Sequence, residues 1–158
     1  MYYYSSTLFT SYLLLFTLIM RILSIDYGDK RLGLAIGSTE TGLGTPLEAI
    51  KSGGWDRDVI RLSRIIKEQG AEAIVIGLPL NMDGTEGRRA EITRKFGDLL
   101  HATTTLQVHY HDERLTSKEA HSLLAQSGLS RQRRELMVDS VSAQLILESW
   151  VRQITKQV

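Results

Sequence analysis

The chain changes its hydrophobic period several times, and each change predicts an element. Ile22, Leu23 and Ile25 form a short apolar run, as do Leu32, Leu34, Ala35 and Ile36. Between them, Asp26-Tyr27-Gly28-Asp29-Lys30-Arg31 carries turn chemistry at Gly28 and Asp29, which predicts a hairpin of two strands. Thr41–Ile50 (TGLGTPLEAI) contains Gly42, Gly44 and Pro46. Proline cannot donate to a ladder, so this stretch reads as a short edge strand closing a three-stranded antiparallel meander. From Trp55 to Gln69 the period becomes helical: Val59, Leu62, Ile65 and Ile66 share one stripe, and Gly70 ends it. Ala73–Gly77 (AIVIG) is an unbroken β-branched run of the kind found in a central parallel strand covered on both faces.

The second half repeats this alternation. A helix from about Arg88 to Leu100 is expected to bury Ile92, Phe96, Leu99 and Leu100. Leu106–Asp112 reads as a strand, with His109, His111 and Glu113 on one face and Val108, Tyr110 and Asp112 on the other. Thr116 and Glu119 have capping-box spacing and open a third helix, which buries Ala120, Leu123 and Leu124 and stops near Gly128. A last helix starts near Arg131, with Leu136, Ala143, Leu147, Trp150 and Ile154 on one stripe. Asp139 lies beside that stripe, and Ser142 and Ala143 are small enough to let the helix approach a sheet closely.

Composition narrows the class. With 158 residues, 42% hydrophobic and 23% charged, the chain suits one globular domain with a real core. There is no cysteine, which excludes disulfides and thiolate metal sites, so any metal must bind through oxygen or imidazole. The net charge of +1 is unremarkable, but no residue before Arg21 carries a full side-chain charge. That opening stretch has no basic n-region and no A-x-A-like cleavage site, and it runs into the first strand without a linker. Met20 is therefore the expected start of the domain. Residues 1–19 are read as an extension, 20–158 as a single domain, and the protein as cytoplasmic and without a membrane anchor.

Candidate chemistry gathers on acids. Asp26 ends a buried strand, where a carboxylate either caps the turn or holds a cation. Glu113 lies just beyond the last strand and Asp139 on a packed helix, so all three can converge at the carboxyl edge of a sheet. An oxygen-only donor set suits Mg²⁺ or Mn²⁺, which bind the oxygens of a phosphodiester in an in-line displacement. Basic residues surround these acids in clusters: Arg57, Arg61 and Arg64; Arg88, Arg89, Arg94 and Lys95; Arg131, Arg133 and Arg134. Each cluster is either a solvated helix face or a phosphate-facing stripe. The glycines of the loop Leu78–Gly87 are likewise either turn residues or an anion cradle.

Four ordered segments, IDYGDKRLGLAIG, GLPLNMDGTEGRRA, HDERLTSKEA and DSVSAQLILESW, together resemble the YqgF-type family of pre-16S ribosomal RNA nucleases. That family is related to RuvC-type Holliday-junction resolvases within the ribonuclease-H-like superfamily. The resemblance runs from Met20 to about Trp150. It implies an α/β ribonuclease-H-like fold, with a five-stranded mixed sheet (three antiparallel strands and then two parallel ones) flanked by helices. It also implies an acidic triad at Asp26, Glu113 and Asp139 that binds Mg²⁺ or Mn²⁺, with a metal-activated water attacking phosphorus. Resolvase relatives carry a further acid one turn along the last helix, where this chain has Ser142. Lys30, Arg31 and Arg114 are candidate nucleic-acid contacts; Lys30 and Arg31 could equally be exposed turn residues, and Arg114 a salt-bridge partner of a neighbouring acid.

The implied function is hydrolysis of a phosphodiester at the 5′ end of the small-subunit ribosomal RNA precursor, by a monomer or a homodimer. Two alternatives stand beside it: cleavage of branched DNA by a junction resolvase, and a binding factor in transcription or ribosome assembly without catalysis. A sugar-kinase-like or actin-like ATPase also places Asp-x-Gly in a hairpin, but it needs a second lobe that this chain is too short to hold.

Overall fold

The computed structural model describes residues 19–114 and 116–156. All but the last residue of the expected extension 1–19 therefore lies outside the described residues. Five strands, β1 (Arg21–Tyr27), β2 (Arg31–Ser38), β3 (Gly44–Lys51), β4 (Ala73–Leu78) and β5 (Gln107–Asp112), form one sheet in the order β3-β2-β1-β4-β5. β1 pairs antiparallel with β2, and β2 antiparallel with β3. β4 joins β1 in parallel, and β5 joins β4 in parallel. The expected mixed five-stranded sheet is thus present. β3 is as long as β2, and Pro46 sits within it on the sheet's outer edge, where a missing donor costs little.

Four helices cover the sheet: α1 (Trp55–Gln69), α2 (Arg88–Thr104), α3 (Thr116–Ala125) and α4 (Arg131–Thr155). Alternation along β1 decides which helix meets which face. Leu23 and Ile25 enter the core shared with Val59, Leu62, Phe96 and Leu100 of α1 and α2. Ile22 enters the core on the other face, with Ile146, Leu147, Trp150 and Val151 of α4. Asp26 follows Ile22 at even spacing and so belongs to the α4 face. Burial of each such side chain stabilises the fold by roughly 1.5–3 kcal/mol. α3 packs on α4 through Ala120, Leu124, Val141 and Leu145.

Two expected core positions are exposed. Leu123 and Leu136 have 49% and 53% of their surface accessible. Leu123 stands on the side of α3 away from the cluster it shares with α4. Leu136 precedes the part of α4 that overlies the sheet, so helical period alone does not bury it. The expected capping box takes another form: Thr116 is the first residue of α3, and its hydroxyl donates to the carbonyl of Glu113 at 2.6 Å. Asp58, in the first turn of α1, is fully buried and ties down the preceding loop, accepting from Ser52 Oγ at 2.6 Å and from the Gly53 amide at 2.9 Å. Beside the end of β1, Trp55 Nε1 donates to Tyr27 Oη at 2.7 Å, and the Tyr27 ring stacks on Phe96 at 4.5 Å. The sheet end that carries Asp26 is thereby held by both α1 and α2.

Candidate active site

The site is built on the absence of side chains beside Asp26. Asp26 pairs across the β1–β2 ladder with Gly33. A Cβ at Gly33 would overlap the backbone of Asp139, so the bare glycine is what lets α4 bring Asp139 down onto the strand next to Asp26. On the other side, the parallel register pairs Ile25 with Ile76, so the next step sets Asp26 alongside Gly77. A Cβ at Gly77 would occupy the place of Glu113 Oε2. Glu113 reaches that place because the chain turns back at the end of β5, with its amide donating to the Leu78 carbonyl at 3.3 Å. Two strand ends and one helix therefore deliver Asp26, Glu113 and Asp139 to one lip of the sheet.

Electrostatics follow from this crowding. Burial, and then the charge of Asp139, push the Asp26 carboxyl up to about 6. The Ser142 hydroxyl hydrogen-bonds Asp26 and opposes that rise, as does the charge of Arg89. Burial, and then the charge of Asp26, push Glu113 up to about 8, again against Arg89. Glu113 Oε2 is buried without a hydrogen-bond partner. A buried, unpartnered carboxylate oxygen is costly, and either a proton or a cation relieves it. Asp139 is turned toward Arg31, whose Nε lies 3.4 Å from its Oδ2. Among the described residues, no group of three or more His, Asp or Glu side chains is arranged to hold a metal ion by itself. The oxygen-only donors and the orphaned Glu113 Oε2 fit a hard divalent cation such as Mg²⁺ or Mn²⁺.

The other sequence candidates have definite places. Lys30 is exposed at the hairpin tip, and its carbonyl accepts from the Ser52 amide at 3.0 Å. Arg31, besides facing Asp139, donates to the Leu136 carbonyl at 3.4 Å and so ties the hairpin to α4. Arg114 pairs with Asp112 at 2.7 Å and donates to the Met82 carbonyl at 3.2 Å, which pins the β4–α2 loop. His109 lies against the Trp150 ring at 4.9 Å, and His111 shares a hydrogen bond with Ser149 at 2.9 Å. Both histidines thus face α4 on the side of Glu113, and burial lowers the pKa of each.

Two contributors escaped residue-by-residue reading. Arg89, one of a cluster in the sequence, alone reaches the lip, bridging to Asp29 at 2.9 Å across the hairpin turn. Ser142, noticed as the replacement of an acid, is a buried hydrogen-bond donor to Asp26. Of the α1 arginines, Arg61 is occupied elsewhere, donating to the Lys51 carbonyl at 2.9 Å.

Comparison with known proteins agrees with this architecture. A family model described as "RuvX: Holliday junction resolvase" matches residues 20–153. A relative from Aeromonas hydrophila is 43% identical over 136 residues, covering 84% of this chain and 94% of its own. One from Escherichia coli is 42% identical over 132 residues, covering 84% and 96%. Both carry the name "Putative pre-16S rRNA nuclease". Among solved structures, Thermus thermophilus RuvC in complex with a Holliday junction aligns with a TM-score of 0.58 at 12% identity, over 88% of this chain and 98% of its own. The Fowlpox virus resolvase bound to Holliday junction DNA aligns at 0.55 and 12%, over 85% and 99%. At that identity the structures establish the shared fold, a ribonuclease-H-like sheet with its helices. The family match and the two relatives establish more: this chain is a member of the RuvX family.

Proposed function

We propose that this protein is a metal-dependent nuclease that hydrolyses phosphodiester bonds in structured RNA and matures the 5′ end of the 16S ribosomal RNA precursor in the cytoplasm. One observation carries the reading: Asp26 and Glu113 are crowded at one lip, with Glu113 Oε2 buried and unpartnered. The names of the relatives supply the substrate class. Asp26, Glu113 and Asp139 would hold a Mg²⁺ or Mn²⁺ ion, whose chemistry there would be to polarise a water and the phosphate oxygens.

The remaining roles fall to the chain itself. Ser142 fixes the orientation of the Asp26 carboxylate by donating to it. Without a cation, Glu113 holds a proton at neutral pH, so its affinity for metal and for protons compete. Arg31 pairs with Asp139 at the lip and would have to release it for Asp139 to join a bound ion. Lys30 and Arg89, exposed around the acids, position backbone phosphates without reading sequence. No side-chain nucleophile is required.

Incubation with precursor ribosomal RNA and with a four-way DNA junction, each with and without Mn²⁺, tests the proposal. Mn²⁺-dependent RNA cleavage that disappears in a folded Asp26→Asn variant is the expected result. Paired cuts in the junction by a dimer, with intact RNA, would assign the site to the activity named in the family model's description. Full biological function of a triple-alanine variant would remove catalysis altogether.

A further inference from the structure

A cavity of about 360 Å³ opens beside the carboxylates, between the start of α4 and the edge strand β3. It lies within the range of about 300–1,000 Å³ typical of ligand pockets. Arg31, Pro46, Ala49, Leu136, Met137 and Ser140 line it. Its origin is a break in sheet register. Leu32 pairs with Ile50 but Leu34 pairs with Leu47, so Glu48 and Ala49 together oppose the single residue Gly33. Such bulges bend an edge strand and re-aim its side chains. This one lies in the same cross-strand row as Gly33 and Asp26, and it leaves a hollow under the first turns of α4.

Three further observations describe what the hollow would accept. Leu136 and Met137 remain 53% and 39% exposed on its α4 side and Pro46 and Ala49 line its β3 side, which gives two apolar walls facing one another. Ser140 is only 3% exposed, yet its hydroxyl has no hydrogen-bond partner. The guanidinium of Arg31 and the exposed carboxylate of Glu48 supply a cation and an acceptor at the rim. Arg31 also pairs with Asp139, so the cavity and the acidic lip share a wall. A nucleic-acid strand lying across Asp139 would therefore meet Arg31 at the rim of this cavity.

We propose that the cavity between β3 and α4 receives one unpaired nucleobase of the substrate strand, next to the phosphodiester that is cut. The ring stacks between the Met137 and Pro46 sides above the buried Ser140, and Arg31 faces the adjoining phosphate. This deepens the nuclease reading, on which it rests, by adding to it a selection for an unpaired nucleotide at the cut. Stacking is sequence-tolerant, so the selection is for an extruded base rather than for a long sequence.

Binding alone provides the test. The full chain, with its methionine methyl groups isotopically labelled, is titrated with the four ribonucleoside monophosphates and with ribose 5-phosphate. An upfield ring-current shift of the Met137 methyl by the nucleotides but not by the sugar phosphate is expected, and it should be lost in Leu136→Ala and Ala49→Leu. No nucleotide-dependent shift, or a shift that instead follows protein concentration, overturns the proposal; the second outcome would assign the surface to another copy of the chain. In a cleavage assay, an abasic nucleotide walked along the RNA should slow cutting roughly tenfold at one position beside the cut. A flat scan with cutting intact removes the pocket and keeps the nuclease, whereas methyl shifts without any cutting remove the nuclease alone.

Discussion

Gly33 of β2 lies against the backbone of Asp139 on α4, at the one point of the β1–β2 ladder directly opposite Asp26. The position of one candidate metal ligand is thus set by the lack of a side chain next to another. Gly33→Ala has no room and must push α4 away from the sheet. Overpacking of this kind costs roughly 1–3 kcal/mol. The expected result is a lower denaturation midpoint, with a loss of cleavage larger than the loss of folded protein, because Asp139 is the group displaced. At Gly53 a Cβ meets first the flexible Arg57 side chain, at 3.3 Å, so Gly53→Ala should leave midpoint and cleavage nearly unchanged. Equal effects at the two glycines would contradict this account of the site.

The two crowded acids make a prediction about stability and pH. Folding raises Asp26 from 3.8 to about 6 and Glu113 from 4.5 to about 8, mainly by burial. The folded chain therefore keeps protons that the unfolded chain has released. This contribution to stability is complete below about pH 4 and is lost as pH rises through the two folded values. In cation-free protein, the melting temperature should fall between about pH 5 and pH 8.5, relative to an Asp26→Asn/Glu113→Gln double variant, by on the order of 5 °C. Mg²⁺ should restore stability at the higher pH and do little at the lower one, since protons and cation compete for the same oxygens. A melting difference that does not vary with pH would show that these carboxyls are not strained by burial.

The sequence made the scaffold readable because the scaffold depends on local periodicity. The unbroken run at Ala73–Gly77 announced a strand covered on both faces, and period two put His109, His111 and Glu113 on one face, which the structure turns toward α4. What it could not supply is distance between elements. The bulge at Glu48 and Ala49 depends on how β3 meets β2, and neither residue is unusual for a strand. Arg89 is one of several neighbouring cations, and only the path of the chain after Gly87 makes it the one that reaches Asp29. Ser142 was legible as a departure from an acidic position, but its hydrogen bond to Asp26 requires the close approach that Gly33 permits. Leu136 shows the opposite failure: its helical spacing is right, but it faces the hollow left beside the β3 bulge and not packed side chains.

The Arg89–Asp29 bridge places an exposed cation and anion across the mouth of the site, at 2.9 Å. An exposed pair contributes only about 0–1 kcal/mol to stability, so removing either partner should leave melting nearly unchanged. Binding should respond with opposite signs. Asp29→Asn frees Arg89 for phosphate and should tighten RNA binding, while Arg89→Gln should weaken it and reduce the dependence of log K on log salt by about one. Fluorescence anisotropy at several salt concentrations measures both. Parallel changes in the two variants would mean that Arg89 does not meet phosphate.

Arg114 separates two roles that coexist in one side chain. Its guanidinium pairs with Asp112 at 2.7 Å and holds the Met82 carbonyl at 3.2 Å, so it fastens the β4–α2 loop to the strand that delivers Glu113. That loop has its own hydrogen bonds, from the Asn81 amide to the Thr85 carbonyl at 2.9 Å and from the Gly84 amide to the Asn81 carbonyl at 2.8 Å. Met82 at its tip is 80% exposed and adds no core packing. Arg114→Gln should therefore leave the melting temperature within about 1 °C, because exposed ion pairs contribute little. Hydrogen exchange at the Asn81 and Gly84 amides should accelerate severalfold as the loop opens locally. If Arg114 acts through the loop, cleavage falls together with that loss of protection, and a lysine, which cannot span both partners with one planar fork, rescues neither. If exchange is unchanged while cleavage falls and lysine restores it, Arg114 works instead as a charge on the substrate backbone.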